Sequence, residues 1–131
     1  MFVAQFIGSP PSNFFDGTVK VEGTKVFVEN DAFKYEVTNK YAKLLKDGFD
    51  GKKVVLSVRP ENFVIGGKAV IETEILIVEP QGSHVVINAM VGEKEIKVVS
   101  TQLDLEVGQK IKLGFTEKIV IFNAETTFRI R

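Results

Sequence analysis

The 131-residue sequence contains no cysteine and no tryptophan, only four prolines and a single histidine. Without cysteine there is neither a disulfide framework nor a thiolate metal site, a composition that fits a reducing compartment. One imidazole, His84 in "SHVVINA", has no acidic partner placed by the sequence, so no Ser-His-Asp set is visible, and a site of one imidazole and scattered carboxylates would hold a metal weakly. Charge of one sign is missing too. Seventeen basic residues balance seventeen acidic ones, so no net field draws the chain toward nucleic acid or anionic lipid. No apolar run approaches the roughly 18 residues of a membrane span. Met1 to Ile7 is apolar but has no basic flank and stops at Gly8-Ser9-Pro10, so it is not a signal peptide. A phosphate loop is also absent. Its nearest approach, Gly66-Gly67-Lys68-Ala69, lacks the upstream glycine and the hydroxyl and reads as a hairpin turn.

What remains is a chain with 44% hydrophobic and 26% charged residues, enough to bury a core without covalent staples. Period-two alternation dominates. Thr18–Glu22, Lys25–Glu29, Phe33–Val37, Val54–Val58, Val70–Val78, Val85–Val91, Ile96–Val99, Ile111–Phe115 and Ile119–Phe122 all read as strands. Glycine-bearing turns at Glu22-Gly23-Thr24, Gly66-Gly67-Lys68 and Val91-Gly92-Glu93 separate several of them. Thr38 to Asp47 breaks the rhythm: Tyr41, Leu44 and Leu45 lie at helical spacing, with Thr38 or Asn39 as cap and Gly48 as the C′ residue. The fold class is therefore all-β, β-rich with one short inserted helix, as in an OB-fold-like barrel. No clear tandem repeat is visible, although two β-rich halves could form two barrel-like layers.

The eleven phenylalanines fall mostly at inward strand positions, which points to core packing rather than to base stacking. Glu72/Glu74 and Glu93/Glu95 repeat at period two on solvated strand faces, not in a cleft that would tune them for acid–base work. Three local features stand out. In Arg59-Pro60-Glu61, Pro60 holds Arg59 extended, so Arg59 is placed to bond a nearby carbonyl or carboxylate and lock the strand exit. In Ser9-Pro10-Pro11-Ser12-Asn13, the prolines make a stiff hinge or a plain turn. Glu79-Pro80-Gln81-Gly82-Ser83 is a turn whose tip meets either a partner or only water.

Four stretches, taken in order, resemble one family. "FVAQFIGSPPSNFFDGTV" (2–19), "LSVRPENF" (56–63), "VEPQGSHVVINAMVG" (78–92) and "GFTEKIVIFNAETTFRI" (114–130) are similar to segments of the C-terminal domain of sugar-importing ABC transporter ATP-binding subunits of the maltose-importer type. Departures from that pattern are Ser12 in place of Met, Asn62 in place of His, Thr116 in place of Asp and Glu117 in place of Pro. The resemblance implies a non-catalytic regulatory and dimer-supporting domain on the OB-like fold shared with molybdate-binding modules. It implies residues 1–13 as a linker helix and hinge and 14–131 as the regulatory domain. Its ATPase domain, with ATP and magnesium, would lie upstream of Met1, so no cofactor is expected in this chain. Expected partners are that ATPase domain, a second copy of the subunit and the transporter's membrane subunits, with no nucleic acid and no direct membrane insertion. The expected place is cytoplasmic, at the inner face of the cell membrane.

The opening stretch then acquires a reason. Phe2, Val3, Phe6 and Ile7 form an apolar surface on two turns of a helix, and in a parent subunit they would pack between the two domains. Candidate regulatory or domain-contact residues are Phe2, Phe6, Ile7, Ser9, Pro10, Asn13, Arg59, Pro60, Glu61, Glu79 and Gly82. The alternative is a stand-alone module for a small oxyanion such as molybdate, which needs converging N–H groups and hydroxyls; Ser83, Ser100 and Thr101 are available.

Overall fold

The computed structural model describes residues 12–67 and 69–124. The described residues build ten strands and one α-helix in two compact units, one from residues 12–57 with 119–124, the other from 58–118. In the first unit the strands are β1 (Asn13–Glu22), β2 (Lys25–Glu29), β3 (Lys34–Glu36), β4 (Lys53–Val58) and β10 (Val120–Asn123), in the order β10-β4-β1-β2-β3. The second unit contains β5 (Phe63–Ile65), β6 (Ile71–Pro80), β7 (Val85–Val91), β8 (Lys94–Ser100) and β9 (Lys110–Phe115), in the order β5-β9-β6-β7-β8. The outer strands β5 and β8 of this second sheet approach each other, so it curls toward closure as an OB-type barrel does.

Alternation sets the faces. In β1, Phe15 and Val19 point inward while Asp16 and Lys20 stay in water, and Val26 and Val28 do the same in β2. Lys53–Val58 departs from alternation because Val54 through Val58 are all buried. Here Val55 packs with Phe122, Phe14 and Val120 in a small second cluster on the other face of the sheet. Phe15 and Phe33 meet edge to face with ring centroids 5.4 Å apart, the arrangement that aromatic quadrupoles favour. All eight described phenylalanines are buried or half-buried, as core packing requires.

The inserted helix α1 spans Tyr41–Gly48. Tyr41 and Leu45, four residues apart, are buried and anchor it; burial of such a side chain is worth about 1.5–3 kcal/mol. Asn39 supplies the N-terminal acceptor, taking the Tyr41 N–H on Oδ1 at 3.0 Å. Gly48 is the last helical residue rather than the residue beyond it. The helix closes instead through Phe49 N–H donating to the Leu45 carbonyl, and the left-handed turn waits until Gly51 at φ 79°.

Two further expectations are corrected. Gly66-Gly67 does not close a hairpin: β5 and β6 both pair with β9, which lies between them, so the turn carries the chain over that strand. A repeat is also present. Gly51-Lys52-Lys53-Val54-Val55-Leu56 corresponds to Gly108-Gln109-Lys110-Ile111-Lys112-Leu113, and the two segments make the same bonds. Val19 donates its N–H to the Lys52 carbonyl and accepts from Gly51 N–H, at 2.9 and 2.8 Å. Ile75 donates to Gln109 and accepts from Gly108, also at 2.9 and 2.8 Å. Both glycines have positive φ, 79° and 87°, which a side-chain-bearing residue adopts only with strain. Only a short glycine–lysine–apolar signature survives in the sequence, too little to register as a tandem repeat.

Gly17 occupies a position without room. A methyl group there would collide with the Val28 side chain, which is fully buried and cannot yield. Gly17→Ala is expected to destabilise the fold by about 1–3 kcal/mol, read as a lower urea midpoint at unchanged slope.

Candidate functional site

The second unit gathers most of the described candidate residues. After β4, Arg59 is extended (φ −72°, ψ 152°) and Pro60–Asn62 form a single 3₁₀ turn. The expected lock is present: Arg59 Nε donates to Glu61 Oε2 at 2.9 Å. Asn62 is buried, and its carbonyl accepts the Thr116 N–H at 2.9 Å. Phe63 pairs in register with Phe115, ring centroids 5.7 Å apart. The "LSVRPENF" and "GFTEK" stretches, some fifty residues apart in sequence, are thus brought together.

Glu61, Phe63–Ile65 and the adjacent Thr116, together with Val99–Gln102, line an open cleft of about 430 Å³. Ser100, Thr101 and Thr116 bring three hydroxyls to it. Ser100 Oγ already accepts the Gln102 N–H at 3.0 Å. Ser83, the remaining hydroxyl of the oxyanion alternative, is not part of the lining; it lies in the β6–β7 turn beside His84 Nδ1 at 3.4 Å. The Glu61 carboxyl is held below the usual carboxylate range, first by a bond from its own backbone N–H and then by the Arg59 guanidinium, while partial burial works the other way. A carboxylate kept ionised at the cleft mouth repels a small anion.

The other candidates lie elsewhere. Asn13 opens β1 in the first unit. Glu79 and Pro80 belong to β6 rather than to the turn, and Gly82, at φ 84°, makes the tight connection closed by Gln81 N–H to the His84 carbonyl at 2.8 Å. Phe2, Phe6, Ile7, Ser9 and Pro10 lie outside the described residues. His84 is half-buried at that turn, and no carboxylate among the described residues bonds its ring. Among the described residues no three His, Asp or Glu side chains are grouped so as to hold a metal ion. No helix among them is long and apolar enough to cross a membrane.

Some organising residues escaped sequence reasoning. Asp50 Oδ1 accepts the Val21 N–H at 2.9 Å, a bond across 29 residues with no local signature. Asn30 accepts both Ala32 and Phe33 N–H groups and donates to the Asp16 carbonyl. The Asn30-Asp31 pair was the available signal, since such residues nucleate turns through their side chains. The trough along Glu72–Glu74 and Lys110–Lys112 is a cross-strand ladder of opposite charges in register, already complementary to itself.

Two five-stranded sheets of matching strand order, the second curled and the first with a helix between its third and fourth strands, define an OB-type fold with an internal repeat. Residues 8–63 match the family model described as the MalK OB fold domain. That match, together with the relatives below, supports a C-terminal OB-type domain of an ABC-transporter ATP-binding subunit of the sugar-import kind. It is 34% identical over 140 residues to the multiple sugar-binding transport ATP-binding protein MsmK of Streptococcus mutans, an alignment covering 99% of this chain and 36% of that protein. It is 32% identical over 100 residues to the trehalose/maltose import ATP-binding protein MalK of Thermococcus litoralis, covering 70% of this chain and 26% of that protein. The uncharacterized ABC transporter ATP-binding protein YurJ of Bacillus subtilis is 30% identical across 96% of this chain and 37% of its own length. The chain therefore spans between about a quarter and little more than a third of these relatives' lengths. In fold it is similar to the cytoplasmic molybdate-binding protein ModG, with a TM-score of 0.62 at 18% identity over 83% of this chain and 94% of that one.

The Arg59–Glu61 lock predicts a titration. The Glu61 carboxyl should protonate below the ordinary glutamate range, and Arg59→Ala should move its midpoint upward, read from the side-chain carbonyl shift by NMR. Because the folded-state midpoint is depressed, the pair's contribution is present above the ordinary range and is lost as pH falls through the lowered midpoint. Both groups are about half exposed, so the loss of stability should stay within about 1 kcal/mol.

Proposed function

We propose that this chain is a non-catalytic regulatory and dimer-supporting domain of the ATP-binding subunit of an importer for a sugar or related solute. The observation that carries the reading is the alignment of nearly the whole chain with about a third of sugar-import ATP-binding subunits, by a segment that has no phosphate loop. ATP and magnesium would then be handled by another domain of the subunit. Partners would be that ATPase domain, a second copy of the subunit and the transporter's membrane subunits, placing the domain on the cytoplasmic face of the membrane. Phe2, Phe6 and Ile7 would contact the ATPase domain, and Ser9-Pro10 would transmit its rotation stiffly. The coupling has a simple form: whatever binds this domain better in one dimer geometry shifts ATPase closure by its differential affinity.

A second reading, a small-oxyanion module, draws on the likeness to ModG and on the three hydroxyls of the cleft. The ionised Glu61 beside those hydroxyls weighs against it.

Two measurements separate the readings. An antibody raised against the chain should detect, in the source cells, a polypeptide two to three times heavier than 14.6 kDa, the ratio expected if the chain is about 37% of its subunit. A band at 14.6 kDa would remove the importer reading. Calorimetric titration with molybdate should give no saturable heat; saturable binding abolished by replacing Ser100 and Thr116 with valine would establish the oxyanion module instead.

A further inference from the structure

We propose that the open edge of β6, Leu76–Pro80, docks an extended, lysine- or arginine-bearing segment of a partner protein. β6 has neighbours on both sides only at its start. Ile71 to Glu74 pair with β9, and Ile75 is then held by Gln109 and Gly108. From there to Pro80 only β7 runs alongside, and no strand among the described residues lies on the other side.

That edge is not blunted in the way its counterpart is. In the first unit the residue before the shared turn glycine is Asp50, whose carboxylate occupies the Val21 N–H just beyond the Val19 clamp. In the second unit the residue before Gly108 is Val107, a side chain that can accept no bond. A register shift between Ile75 and Ile77 turns two successive apolar side chains outward, Leu76 at 42% and Ile77 at 45% exposure, and Val107 adds a third at 64%. A strand edge with apolar side chains beside it is a template for an added strand: main-chain bonds give affinity and alternate side chains give selectivity.

Charge selects the occupant. Glu74 and Glu79 bracket the edge on β6 itself, and Asp104 and Glu106 stand in the loop that carries Val107. None of these four carboxylates is in an ion pair among the described residues, and Lys110, across from Glu74, is the one cation in register with them. A second copy laid antiparallel on the same edge would bring these carboxylates against their own duplicates, which disfavours self-pairing. A cationic extended segment satisfies the backbone, the apolar side chains and the acidic rim together. The inference stands on this edge alone, so its failure would leave the importer reading intact.

The test titrates the whole 131-residue chain into a fluorescein-labelled ten-residue peptide of alternating valine and lysine, read by anisotropy and by amide shifts in ¹⁵N spectra. Saturable binding is expected, with shifts confined to Leu76–Pro80 and the loop bearing Val107, and no binding of the same peptide with glutamate in place of lysine. Ile77→Lys should weaken binding at least tenfold, and Val107→Asp should also weaken it by restoring an internal acceptor. Stronger binding to Val107→Asp would mean that charge alone acts, and would overturn the edge-pairing proposal. So would absence of binding, shifts elsewhere, equal binding of the glutamate peptide, tighter binding of a helical leucine–lysine peptide, or competition by self-association of the chain.

Discussion

One residue of a long strand, held by both its N–H and its carbonyl to a returning chain, organises each half of this protein. Val19 in the first unit and Ile75 in the second make this double bond, both residues are buried, and both returning chains arrive through a left-handed glycine. The clamp fixes where β4 meets β1 and where β9 meets β6. Because side chains alternate in a strand, fixing one register fixes which residues of the new strand face inward, so Val54 and Leu56, or Ile111 and Leu113, follow without further instruction. A side chain at either glycine would strain the turn that delivers the strand.

The duplicated clamp also gives each unit a built-in comparison. Where the first unit spends a helix and the Asp50 carboxylate on the passage from its third to its fourth strand, the second crosses in a nine-residue loop of which only Leu105 is buried. Leu103 and Val107 stay in water. Two copies of one plan have thus been finished differently, one closed by its own side chains and one left with an apolar, acid-rimmed edge.

Much of the architecture was legible because alternation is a direct record of half-buried strands, and nine of the ten described strands, the three-residue β3 among them, coincide with segments read as strands from the sequence. β5 did not, since Phe63-Val64-Ile65 is three residues long and follows a proline-led turn. The helix showed through Tyr41 and Leu45, while its end was misplaced by one residue because Gly48 lies within the last turn rather than beyond it. Of the candidate contacts, the Arg59–Glu61 lock was readable because its partners are two residues apart. The cleft was not: Glu61, Ser100 and Thr116 meet only through the return of β9 past β5, a long-range pairing that no local pattern encodes. The repeat stayed hidden for a related reason, since its shared feature is a set of main-chain bonds that many side chains can serve.

The position of β10 has a temporal consequence. It completes the first unit by lying against β4, with Phe122 opposite Val55, yet the whole second unit is synthesised between those two strands. Residues 58–118 are contiguous and can close their sheet as soon as they emerge, whereas the first unit must keep the edge of β4 uncovered for the time the ribosome takes to add some sixty residues, a few seconds at about 5–20 residues per second. Assembly order therefore runs against chain order: the half begun first is finished last, and its two buried edge residues, Val55 and Phe122, form the final seam.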